Sequence, residues 1–149
     1  MKPLIVLIAS FIIAVFAVKI STKQYDFALS GRIAMAVMLC FTAIGHFAFS
    51  KGMSMMIPSV IPFKIELVYL TGIAEILLAI GLLVPKFSAL SAWSLIIFLI
   101  LLLPANIYAA IHEVDYQKGT FNGNGLVYLW FRIPLQLWFI GWTYISALK

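Results

Sequence analysis

The sequence predicts an all-α, polytopic membrane protein: a four-helix transmembrane bundle plus one N-terminal transmembrane helix, in a single membrane domain over residues 1–149. Three observations predict it. Hydrophobic residues make up 64% of the chain and charged ones 10%, against about 45–50% and 25% in soluble domains. Mean hydropathy is +1.12. Apolar segments at Pro3–Val18, Gly31–Phe49, Leu67–Val84, Ser88–Ile111 and Leu126–Leu148 each approach or exceed the roughly 17–25 residues that a spanning helix needs. The connections are short, so successive helices should pack as antiparallel neighbours.

The first segment, Pro3–Val18, follows Met1-Lys2 and has the look of a signal-peptide core, with Val15-Phe16-Ala17 as a cleavage-site candidate. An uncleaved helix is the preferred reading, because the chain goes on to span the membrane repeatedly. With the N-terminus on side A, Lys2, Lys51, Lys64 and Lys118 fall there together with Glu66, Glu113 and Asp115. Side B receives Lys19, Lys23, Arg32, Lys86 and Lys149 against Asp26 alone. The excess of lysine and arginine makes side B, which holds the C-terminus, the cytoplasmic one. These cations sit singly at segment ends as interface anchors, so the net charge of +5 does not point to nucleic acid. Cys40 is the only cysteine, which excludes an internal disulfide and any CxxC redox or metal motif. No metal site is expected.

The second connection, Lys51–Lys64, is apolar and broken by Pro58 and Pro62. It should lie in the interface or fold back over the bundle as a cap. The connection at Tyr116–Gly125 is a polar, Gly- and Asn-containing turn region.

The third segment carries Glu75 amid apolar residues. A carboxylate at such depth costs about 2.5–3.5 kcal/mol on insertion scales, so it calls for a partner, a proton or a function. On a helix Gly72, Glu75 and Ala79 share one face, and the small residues let a neighbouring helix approach. Counting rise per residue puts Glu75 about 12 Å, Arg132 about 9 Å, Asn106 about 8 Å and His46 about 5 Å from side A. Four helices thus place polar groups in one half of the bilayer. Glu75 and Arg132 are the expected pair, since alone in lipid they would together cost on the order of 5–7 kcal/mol. Gln136, one turn beyond Arg132, can exchange a hydrogen bond with it. Thr42 and Thr71 are read as bonding back to their own helices. Pro104 should kink the fourth segment and free a carbonyl near Ile100. Trp138 either walls a pocket or faces lipid.

Four runs resemble the DoxX family of small bacterial membrane proteins: Gly45-His46-Phe47; Thr71-Gly72…Glu75…Gly81-Leu82-Leu83-Val84-Pro85; Pro104-Ala105-Asn106-Ile107-Tyr108; and Leu129-Trp130-Phe131-Arg132-Ile133-Pro134-Leu135-Gln136. The resemblance implies a DoxX-like four-helix core over residues 31–149, with 3–18 as an extra helix. It also implies a multi-pass protein of the bacterial inner membrane and a role beside a redox-protein partner. The single Cys40 departs from the paired cysteines of some relatives.

The candidate ligand-binding residues are His46, Glu75, Asn106, Arg132, Gln136 and Trp138. They would bind an apolar molecule with a polar head in a pocket open to side A or to lipid. A quinone fits, with Arg132 and His46 donating to its carbonyls, Glu75 or His46 exchanging protons, and Trp138, Phe47 or the Met53–Phe63 stretch covering the ring. A haem between His46 and His112 is a weaker alternative. The other class of reading is a non-catalytic partner or assembly platform in which the polar cluster is structural glue. Sequence does not decide whether the protein is an enzyme, and fixes neither a cofactor nor an oligomeric state. Membrane lipid is the one partner that composition alone requires.

Overall fold

The structure is a computed structural model and describes residues 2–149. It consists of α1 (Lys2–Thr22), α2 (Phe27–Ala48), the short α3 (Ser50–Ser54), α4 (Lys64–Leu83), α5 (Ser88–Ile111) and α6 (Val127–Thr143). A π-helical turn, Tyr144–Leu148, continues α6. Among the described residues there is no β-strand, only an isolated bridge between Asp115 and Thr120. Helices α1, α2, α4 and α5 are each long and apolar enough to cross a membrane. Helix α6 has 17 residues before its π turn.

Two helix starts differ from expectation. Helix α2 begins at Phe27 and not at Gly31, because the Asp26 carboxylate accepts the Leu29 N–H at 2.9 Å and caps one of the first free donors. Arg32 therefore lies inside a helix, half-buried. Helix α4 begins at Lys64, ahead of the apolar run at Leu67. The first helix extends beyond Val18 to Thr22, whose hydroxyl bonds back to the Val18 carbonyl at 2.8 Å.

Helix α2 packs on α4, α4 on α5, α5 on α6, and α6 with its π turn packs back on α2, which closes a ring of four. Helices α4 and α6 thus stand at opposite corners, as do α2 and α5. Helix α1 lies outside this ring along α2. Its Phe11 meets Trp142 edge to face with centroids 5.0 Å apart. Leu7, Met35, Leu39, Leu82 and Leu95 are fully buried and define the core that the helices share.

Small residues bring the helices together where backbone must approach backbone. A Cβ added at Gly31 would stand 2.8 Å from Ser146 Cβ, so α2 lies tight against the π turn there. The Trp142 indole N–H donates across the same contact to the Gly31 carbonyl at 3.1 Å. The outer surface is as apolar as the core: Ile13, Ile44, Leu77, Leu101 and Leu137 are all more than 60% exposed. In water such an exterior would be anomalous.

The second connection folds back, as its composition suggests. Helix α3 packs on α4 and α2, and Met53 covers Gly45 at 3.6 Å from where a Cβ would be. Phe49 meets Tyr116 edge to face at 6.1 Å, which joins this connection to the turn region between α5 and α6. Proline is found inside α5 (Pro104) and α6 (Pro134), and in neither α2 nor α4.

Candidate functional site

Glu75 is buried on the α4 face that also carries buried Gly72 and Ala79. That face meets α2, not α6. A Cβ at Gly72 would stand 2.9 Å from His46 Cβ, so the glycine admits the imidazole beside α4. His46 Nε2 lies 3.4 Å from Glu75 Oε2. The Thr42 hydroxyl sits between the same Oε2, at 3.1 Å, and the Leu39 carbonyl, at 3.0 Å, with one hydrogen for the two.

The hydrogen-bond pattern assigns the imidazole tautomer. His46 Nδ1 faces the Val68 carbonyl at 3.1 Å and Thr71 Oγ1 at 3.0 Å. The Thr71 hydroxyl spends its own hydrogen on the Val68 carbonyl at 2.8 Å. Both neighbours of Nδ1 are therefore acceptors, and Nδ1 carries a hydrogen. The cluster is a compact histidine–carboxylate pair braced by two threonines.

The expected Glu75–Arg132 pair is corrected. No Arg132 nitrogen lies within 4.0 Å of a Glu75 oxygen, and His46–Glu75 is the one such pair among the described residues. The reason is the order of helices round the ring: α4 and α6 occupy opposite corners, and the carboxylate meets α2 first. Thr42 and Thr71 do bond back to their own helices as expected, and in addition each reaches one member of the pair.

On the α5–α6 side, Arg132 and Gln136 lie one turn apart on α6, and Asn106 is buried on α5. Gln136 is 3% exposed, and its amide Nε2 donates to the Leu99 carbonyl of α5. Leu99 adjoins Ile100, the carbonyl that Pro104 deprives of its helical donor, so the freed-carbonyl expectation falls one residue from the contact made. Gln136 Oε1 and Arg132 Nε are both buried without a hydrogen-bond partner. Asn106 is buried two turns along α5 from Leu99. The Arg132 charge is felt at Tyr116 in the following turn region. Burial pushes the Tyr116 hydroxyl above its ordinary value and Tyr128 adds to this, while a Gln117 hydrogen bond and then the Arg132 charge draw it back.

Trp138 belongs to neither group. It is 53% exposed and lines an outer groove of about 340 Å³ with Leu4, Ile8, Trp130 and Pro134, between α1 and α6. Its position two residues from Gln136 rotates it about 200° round the helix, which alone sends it outward. Phe47 stacks on Tyr69 with centroids 5.7 Å apart. His112 is exposed, with Nδ1 on the Tyr108 carbonyl at 3.0 Å, and both His46 nitrogens have neighbours on α4. Among the described residues no three His, Cys, Asp or Glu side chains gather to hold a metal ion.

The chain is thus an all-helical protein with apolar helices of membrane-spanning length and two separate interior polar groups. It belongs to the family described as Domain of unknown function (DUF8561), whose model matches residues 35–147. No curated protein and no solved structure matches it. This overturns the resemblance to DoxX: the family that matches is a different one, of unknown function. The short runs that carried the resemblance combine small, aromatic and single polar residues. Here Gly72, His46 and Gln136 of those runs serve helix contacts that many apolar bundles require.

Proposed function

We propose that the protein is a multi-pass membrane protein that binds an apolar molecule with a polar head against the Arg132–Gln136 face of α6. In this reading α1, α2, α4, α5 and α6 with its π turn all span the bilayer. The end bearing Lys19, Lys23, Arg32, Lys86 and Lys149 lies on the cytoplasmic side. The observation that carries the binding role is the pair of buried, unpartnered atoms Gln136 Oε1 and Arg132 Nε, one turn apart. Such atoms are expensive to leave bare in a low-dielectric interior, and a ligand head is one way to satisfy them. A quinone is one member of the ligand class. His46 and Glu75 are assigned to fastening α2 to α4 and take no part in binding.

The test is organic extraction of the protein purified in mild detergent, with the extract identified by mass spectrometry. A lipophile near one per protein, lost in Arg132→Ala while helicity and monodispersity persist, supports the reading. An extract holding bulk lipid alone for both proteins overturns it.

A second reading, a platform for a partner protein, rests on Val60 and Phe63, which are 86% and 74% exposed on the connection that folds back over α4. It predicts a co-purifying protein that is released by Val60→Asp and retained in Arg132→Ala.

A further inference from the structure

The interior atoms of α6 also state what kind of polar head they would accept, an inference that rests on the binding role proposed above. The Leu99 carbonyl can only accept, so the Gln136 atom facing it must be the amide nitrogen, and the amide orientation is fixed. The atom left over, Oε1, is an acceptor with no donor. Arg132 Nε is the converse, a donor with no acceptor. The guanidinium has no carboxylate within 4.0 Å to occupy it. Gln136 is 3% exposed, so bulk water does not make good the deficit.

We infer that this face selects an apolar molecule carrying a hydroxyl, a phenol or alcohol, over an otherwise equal molecule that can only accept hydrogen bonds. An O–H group gives its hydrogen to Gln136 Oε1 and takes that of Arg132 Nε through its lone pairs. A ketone, ether or quinone carbonyl satisfies Arg132 and leaves Gln136 Oε1 bare. The missing hydrogen bond to a buried acceptor is worth roughly tenfold in affinity. Among redox-active ring compounds the same rule places the dihydroxy form ahead of the dione.

The probes are 4-octylphenol and 4-octylanisole, which share an apolar body and differ by O–H against O–CH₃. Retention of each by the full-length protein in lipid nanodiscs is measured against empty nanodiscs, which removes the difference in partition into lipid. The expected result is about tenfold stronger retention of the phenol, with the two probes equalised in Gln136→Leu. Equal retention by the unaltered protein overturns the selectivity and leaves the binding role standing. Selectivity that persists in a folded Gln136→Leu protein also overturns it. Retention of neither probe above empty nanodiscs overturns the binding role itself. The comparison of the two probes on the unaltered protein holds even where the variant fails to fold.

Discussion

His46 Nε2 lies 3.4 Å from Glu75 Oε2, and the two side chains are only 13% and 7% exposed. Helices that meet through such a pair should show it as energetic coupling. In a double-mutant cycle, His46→Gln with Glu75→Gln should give a coupling of about 1 kcal/mol, whereas Glu75→Gln with Arg132→Gln should be additive within about 0.5 kcal/mol. Unfolding midpoints in mixed detergent measure both. Coupling to Arg132 and none to His46 would contradict the helix order described above.

Gly72 and Gly141 make a matched contrast. An alanine at 72 puts a methyl group 2.9 Å from His46 Cβ, so Gly72→Ala should cost about 1–3 kcal/mol by prising α2 from α4. Nothing lies within 4 Å of a Cβ at Gly141, in the last turn of α6 where the π turn continues the helix. Gly141→Ala should be neutral or stabilise by up to about 1 kcal/mol through helix propensity. The same denaturation assay reads both signs.

Tyr116 supplies a pH signature outside the long helices. Burial raises its value above the ordinary 10.0 in the folded protein, against smaller opposing pulls from a Gln117 hydrogen bond and the Arg132 charge. The folded state therefore holds the phenolic proton more tightly than the unfolded chain does. The associated stability is intact below pH 10 and is lost as pH rises through the folded value. Tyrosinate absorbance should show a late-titrating component that disappears in Tyr116→Phe. That variant should also lose less stability than the unaltered protein above pH 10.

Cys40, the single thiol, is exposed on the outer side of α2, well inside the helix. If α2 crosses a bilayer, hydrocarbon covers this sulfur and keeps a large water-soluble reagent from reaching it. A maleimide–polyethylene glycol reagent should leave Cys40 unmodified in intact membranes and modify it fully in sodium dodecyl sulfate. Prompt labelling in intact membranes would refute the spanning assignment of α2.

The sequence was most legible along single helices. Gly72, Glu75 and Ala79 share a buried face because a 3.6-residue period dictates it, and small residues beside an acid imply a close neighbour. What local periodicity does not encode is which neighbour. Depth along the membrane normal gives one coordinate, and by it Arg132, about 3 Å from the level of Glu75, was favoured over His46, about 7 Å away. The order of helices round the ring decided for His46, and that order is a property of the whole chain. The start of α2 turned on Asp26, whose side chain caps the helix ahead of the apolar run that begins at Gly31. Trp138 was readable in advance, since two residues from an inward Gln136 is the far side of a helix.

Pro104 and Pro134 each delete one rung from the hydrogen-bond ladder, and both deletions fall in the α5–α6 pair. The α2–α4 pair keeps its full ladders and is cross-braced through a histidine, a carboxylate and two hydroxyls. Flexural stiffness is consequently lopsided. One pair of staves is rigid, and the other can bow outward with little loss of backbone bonding, at the edge where the bare amide oxygen and guanidine nitrogen stand.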